Sequence, residues 1–213
     1  MARRLEGKAV LATHNSGKLQ EMRELMEPYG VELVSAGELG LPEPVENGTM
    51  YAENAAIKAR AAAQATGLPA LSDDSGLSVD LLDGAPGLFT ADWAGIPRSW
   101  DRAMRRLHDE LAKRGHDVEG ASGKFVSALV IAWPDGHEEL FEGRCPGILT
   151  WPPRGAAGFG YDPMFMPEGH RRTFAELSPT EKHGLPPVGA GLSHRARAFM
   201  ALSAACLSPA TSS

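Results

Sequence analysis

Two neighbouring carboxylates, Asp73 and Asp74, are followed by Ser75 and Gly76 in a chain of 213 residues. Adjacent aspartates behind the short run Ala70-Leu71-Ser72 cannot both be buried without a cation. A hard divalent metal fits that need, because magnesium takes a few carboxylates together with waters and phosphate oxygens. A carboxylate placed there can also accept a proton from an attacking water. A solvated acidic turn would carry the same residues. Glu46, in a loop upstream, is a candidate second ligand.

A second group lies nearer the start. Thr13-His14-Asn15-Ser16-Gly17-Lys18 connects an apolar run to residues with helical spacing. The amides and dipole of a helix N-terminus favour a phosphate, and Lys18 adds a mobile cation. The loop is not a Walker A motif: no glycine sits five residues before Gly17, and Leu19 stands where Ser or Thr should hold magnesium. Further on, Gly158-Phe159-Gly160-Tyr161-Asp162-Pro163 sets glycines around an aromatic, an arrangement that lets a flat base approach the backbone. Ser193-His194-Arg195 offers hydrogen-bond donors at the start of the last helical segment.

The elements that position these groups read as alternating strands and helices. Lys8–Ala12 is a short buried strand, and Leu19–Tyr29 a helix with Leu19, Met22, Leu25 and Met26 on one face, stopped by Gly30. Val31–Val34 is the next strand, so the opening predicts a parallel pair with a crossover helix. An alanine-rich helix follows over about 49–66, then a short central strand at Ala70–Ser72 ending at the two aspartates. Leu77–Leu82 alternates and breaks at Asp83–Gly87. Ser99–Arg114 is an amphipathic helix with Met104, Leu107 and Leu111 inward. Lys124–Trp133 and Glu138–Phe141 predict an antiparallel hairpin around Pro134-Asp135-Gly136, with Ile148–Trp151 extending the sheet. Ser193–Leu207 closes the chain as a helix.

Bulk properties narrow the classes. A net charge of −6 and a pI near 5.6 speak against a protein that coats nucleic acid. Two cysteines make neither a disulfide framework nor a zinc cluster, and a reduced, cytoplasmic setting is expected. No signal-type run follows Met1–Glu6, and no apolar stretch approaches a membrane span, so no membrane partner is expected. The expected organisation is a single domain of two lobes over residues 1–213, with 1–7 and 207–213 frayed.

Taken in order, these motifs resemble those of the non-canonical purine triphosphate pyrophosphatases, the inosine triphosphatase group. The matching segments are Leu11–Lys18, Glu53-Asn54-Ala55 with Lys58, Ser72–Leu77, Gly84–Gly87, Gly158–Pro163 and Ser193–Arg195, and the likeness runs from Val10 to Phe199. The resemblance implies an elongated, two-lobed α/β protein with a long mixed central sheet flanked by helices and the active cleft between its lobes. It implies a magnesium-dependent cut between the α- and β-phosphates of ITP, dITP or XTP by a homodimer, cleansing the nucleotide pool. Asp74 then matches the proton acceptor and metal ligand, with Glu46 as the second ligand and Asp73 and Lys18 as catalytic neighbours. Thr13, His14, Asn15, Ser16, Gly17, Lys18, Lys58 and Ser75 match the substrate contacts of that family. Phe159, Gly160, Tyr161, Asp162 and Lys182 match its base-binding and further contacts, and His194 with Arg195 the pair that reads the purine.

One segment departs from the family pattern. Residues 183–191, His-Gly-Leu-Pro-Pro-Val-Gly-Ala-Gly, lengthen a link that is usually very short, so the segment either loops outward or displaces Lys182. His14 also replaces a small residue. Rival readings are a pyrophosphatase for pyrimidine or modified nucleotides and a nucleotide-binding regulator without catalysis. A zinc hydrolase is set aside, because His137-Glu138-Glu139 lacks the HExxH spacing.

Overall fold

The computed structural model describes residues 2–209. It is mixed α/β: strands β1 (Lys8–Leu11), β2 (Glu32–Ser35), β3 (Ala70–Val79), β4 (Ser122–Ala132), β5 (Glu138–Leu149) and β6 (Phe165–Pro167) form one sheet in the order β2-β1-β3-β4-β5-β6. The helices are α1 (Ser16–Met26), α2 (Tyr51–Thr66), α3 (Trp100–Lys113), α4 (Pro179–His183) and α5 (His194–Cys206). The predicted parallel pair is present: β1 runs parallel to β2, Lys8 opposite Glu32, with α1 as the crossover. It is parallel to β3 as well, through Val10–Ala70 and Leu11–Leu71. At the other edge β6 is antiparallel to β5, which makes the sheet mixed.

The chain divides into two compact units, Met1–Asp74 with Ser127–Gly143 and Arg195–Ser213, and Ser75–Val126 with Arg144–His194. In the first, α2 lays Ala55, Ala56, Ala59, Ala62 and Ala63 on Val10, Ala12, Ala70, Ala128, Val130 and Ala132. Small side chains, alanine on the helix and alanine or valine on the strands, bring that helix close to the sheet, and the strand residues alternate, as one face of a strand must. In the second, α3 buries Ala103, Met104, Leu107 and Leu111 against Leu77, Val79, Phe125, Leu149, Phe165 and Phe174. Its N-cap is Ser99, whose hydroxyl accepts from the Arg102 amide.

Three expectations change. β3 does not end at the aspartates: it carries Asp73, Asp74, Ser75 and Gly76 inside one strand of ten residues and absorbs Leu77–Val79. The acidic residues are tolerated there because each faces a cation rather than a core. β5 likewise runs unbroken to Leu149, so Ile148 belongs to it and Trp151 lies beyond it. At the chain start the described residues are held rather than frayed. Leu5 is buried, its amide donates to the Cys206 carbonyl at 2.8 Å, and Arg3 pairs with Asp135 at 2.8 Å. Leu207 is buried too; fraying expected of Met1 and 210–213 lies outside the described residues. None of the described helices is long and apolar enough to cross a membrane.

Candidate active site

Successive residues of a strand point to opposite faces, and this separates Asp73 from Asp74. Asp74 has the parity of Ala70, whose face carries α2, and it meets Lys58 from that helix. Asp73 has the parity of Leu71 and meets α1, α5 and β4 instead. The pair therefore does not form one acidic cluster.

Around Asp73 the charges balance. Its Oδ2 takes ion pairs from Lys18 Nζ and from Arg195, both at 2.9 Å, and its Oδ1 accepts from the Ser127 hydroxyl at 2.6 Å. Arg195 also pairs with Glu21, one turn beyond Lys18 on α1. Burial alone would raise the Asp73 pKa, but the charges of Arg195 and Lys18 and the two hydrogen bonds outweigh it. They hold the carboxyl well below the usual aspartate range. Arg195 answers in kind: burial works against its charge, and Asp73 and Glu21 more than restore it, so its pKa is raised. Two carboxylates facing two cations, with Arg195 and Asp73 almost sealed from solvent, make a fixed internal network.

The Asp74 side is different. Lys58 Nζ lies 2.9 Å from Asp74 and 3.2 Å from Glu46, so a single ammonium faces two carboxylates. Burial pulls the Lys58 pKa down, and Asp74 and Glu46 pull it up by more, leaving it raised and the ammonium charged. The Asp74 side chain is 15% exposed against 2% for Asp73, so Asp74 is the one a water or phosphate can reach. Among the described residues no group of three or more His, Cys, Asp or Glu side chains is placed to hold a metal. The pair Asp74 and Glu46 still suits magnesium, which uses one or two carboxylates and completes its shell with water and substrate phosphate.

The first loop is more tightly organised than the sequence implied. Asn15 is the N-cap of α1: its Oδ1 accepts from the amides of Gly17 at 2.9 Å and Lys18 at 3.2 Å, and its own amide donates to the Thr13 hydroxyl. This cap is why α1 starts at Ser16 rather than Leu19. Two amides assigned to a phosphate thus already have a partner inside the chain. His14 turns away from the loop, with Nε2 2.9 Å from the Leu41 carbonyl and Nδ1 3.1 Å from Glu43.

The second unit holds the aromatic group. Asp162 is buried, accepts from the Phe159 amide at 2.9 Å, and forms a 2.6 Å ion pair with Lys182. A Cβ at Gly158, where φ is +76°, would lie 2.1 Å from the Asp162 carboxylate, so only glycine fits there. Lys182 is also 5.1 Å from the Phe174 ring centroid and 5.8 Å from that of Phe159. Tyr161 is buried against Trp100, and desolvation raises its phenol pKa. His194 stacks flat on Phe125, centroids 4.8 Å apart. Ser75 is half-buried on β3.

Two residues expected to contact substrate have charged partners within the chain. Arg195 pairs with Asp73 and Glu21. Lys182 is engaged by Asp162, which makes it a brace for the Phe159–Asp162 segment. The network also contains two residues the sequence did not single out. Ser127 interrupts the apolar run Phe125–Ala132, and a lone hydroxyl in a buried strand needs a partner; that was a usable signal. Glu21, an ordinary acidic residue on a surface-type helix, gave none.

Fold and site define a mixed α/β protein with lysine-braced carboxylates on a central strand, suited to a polyphosphate. The Ham1 family model matches residues 9–205, and the chain belongs to that family. It is 60% identical over 208 residues to the dITP/XTP pyrophosphatase of Rhodopseudomonas palustris, covering 97% of this chain and 99% of the relative. Among solved structures it is similar to a HAM1 protein from Coxiella burnetii (TM-score 0.81, 36% identity, 93% of this chain and 98% of that one). It is also similar to a nucleoside-triphosphatase, dITP/XTP pyrophosphatase, from Mycobacterium abscessus (TM-score 0.70, 40% identity, 92% and 98%).

Proposed function

We propose that this chain hydrolyses non-canonical purine nucleoside triphosphates, ITP, dITP and XTP, to the monophosphate and pyrophosphate. The observation that carries the reading is the reachable Asp74, held by Lys58 together with Glu46 beside a sealed, charge-balanced Asp73. Asp74 and Glu46 would hold magnesium, which supplies positive charge to the leaving pyrophosphate oxygens when bound. Asp74 orients a water and takes its proton as the water oxygen bonds to the α-phosphorus and the bond to the bridging α–β oxygen breaks. Lys58 fixes the Asp74 carboxylate and, with Lys18, offsets charge that grows on the phosphates. Thr13 and Ser16 contribute hydroxyls and Asn15 its side-chain N–H groups to the same end, on a loop held by the bond from the Gly17 amide to Asn15. Asp73 and Arg195 hold Lys18 and α5 in place without touching substrate.

Ser75, Phe159, Gly160, Tyr161, Asp162, Lys182 and His194 are assigned to the sugar and base. A 6-keto oxygen accepts hydrogen bonds from protein donors, whereas the amino group of adenine would leave them unpaired, at about 1 to 3 kcal/mol for each buried group. The nucleotide pool of the cytoplasm, where thiols stay reduced, is the setting we assign. A homodimer is part of the same reading. Phe89 and Ile96, 62% and 99% exposed in the second unit, are the apolar side chains a partner copy would cover. Sedimentation of the protein at micromolar concentration checks this; a monomer removes the dimer from the proposal.

The activity is tested by incubating the protein with ITP, XTP, GTP and ATP, with and without magnesium, and separating the products. ITP and XTP should give monophosphate and pyrophosphate only with magnesium, with GTP and ATP far slower. Diphosphate with orthophosphate would contradict the placement of the bond that breaks.

A further inference from the structure

The lengthened segment after Lys182 is an excursion pinched at its neck. The Ser193 amide donates to the Lys182 carbonyl at 2.9 Å, and the Gly191 amide to the Gly184 carbonyl at 2.8 Å. Between these two bonds the His183 ring joins in, its Nδ1 3.0 Å from the Ser193 hydroxyl. Beyond the neck the chain turns on itself, with the amides of Val188 and Gly189 both donating to the Leu185 carbonyl. A Cβ on Gly184 would lie 2.4 Å from the Thr180 carbonyl oxygen, and one on Gly189 2.3 Å from that of Gly184. The tip faces solvent, Val188 at 76%.

His183 and Ser193 are buried, unlike the tip, and each adjoins a residue assigned to the base-handling group. His183 follows Lys182, which braces Asp162; Ser193 precedes His194, which stacks on Phe125. A side-chain bond between them therefore fixes two site backbones at once. A site misplaced by a fraction of an ångström loses binding.

We propose that His183 is a positioning residue for the base-handling group of the second unit, acting through Ser193, and that the tip 185–190 is dispensable for it. This rests on the functional reading above. The bond acts on ground state and transition state alike, so its loss raises KM and spares kcat.

The test is steady-state kinetics with ITP and magnesium on the full chain and a small set of variants. His183→Leu and Ser193→Ala should each raise KM about tenfold with kcat within about twofold. The double variant should be no worse than either, since both remove one shared bond. His183→Asn, which can place an amide where Nδ1 lies, should recover most of the KM. Replacing 185–190 by Asn-Gly should leave KM at the wild-type value. Should His183→Leu fail to fold, the smaller Ser193→Ala change with the Asn rescue decides the matter. A wild-type KM in the neck variants, accompanied only by a lower melting temperature, would overturn the inference. So would a tip replacement as impaired as His183→Leu. A wild-type protein that does not cleave ITP would bring down the functional reading and this inference with it, a result distinct from active enzyme with insensitive variants.

Discussion

Asp73 and Asp74 share a peptide bond yet differ in charge, access and rigidity. Asp73 is sealed between Lys18 and Arg195, and of these partners Lys18 alone keeps a partly exposed side chain. Among the described residues Asp74 and Glu46 face Lys58 alone, so the other side carries an excess negative charge and remains partly open. The excess matters for function. An acidic group by itself repels a triphosphate, and a divalent cation reverses its sign, so one side has a reason to recruit a metal and the other has none. Strand geometry produces the division, because a residue step in a β-strand changes the face.

Exchanging charge for amide at each position should separate the two aspartates most strongly. Asp74→Asn should lower kcat for ITP by about a thousandfold, within the usual range for a lost general base, with little change in melting temperature. Asp73→Asn should do the reverse, losing about 3 to 5 kcal/mol of stability, since it removes the carboxylate that pairs with buried Arg195 and with Lys18, while kcat falls much less. Chemical denaturation and ITP kinetics on the same preparations read both quantities. Equal losses of activity in the two variants would erase the distinction.

A smaller effect is expected from Lys58→Met. With its ammonium gone, the two carboxylates should bind magnesium more tightly while turnover falls by about ten- to a hundredfold, measured by magnesium titration of the rate. Weaker magnesium binding would mean that the lysine helps to build the metal site rather than competing for it. Smaller again is the acid response. Asp73 has a folded pKa below its unfolded value, so the stability it confers is present above about pH 3.9 and is lost as pH falls through the folded value. Asp73→Asn should flatten the fall in stability at the acid end, followed by denaturation at stepped pH; an unchanged slope would contradict the depressed pKa.

Much of the architecture was legible because it rests on local pattern. The strand–loop–helix–strand opening, the alanine-rich helix ending at Gly67 and the inward face of α3 follow from periodicity and stop signals. What escaped depends on long-range pairing. Asp73-Asp74-Ser75-Gly76 has turn composition, and distant partners, Lys18, Ser127 and Arg195 for Asp73 and Lys58 for Asp74, let it lie inside a strand. The residue types of the site were visible in order, but their division between two faces needed the full length of β3. The 183–191 segment was legible as extra length; that it closes on itself depended on hydrogen bonds at both ends of the neck.

Asp74 is proposed to deliver a water to the α-phosphorus. Hydrolysis of ITP by the wild-type protein in water enriched in oxygen-18, followed by mass analysis of both products, tests it most directly. Attack at the α-phosphorus puts the heavy oxygen in the inosine monophosphate and none in the pyrophosphate. Label in the pyrophosphate would place the attack on the β-phosphorus and contradict the role given to Asp74.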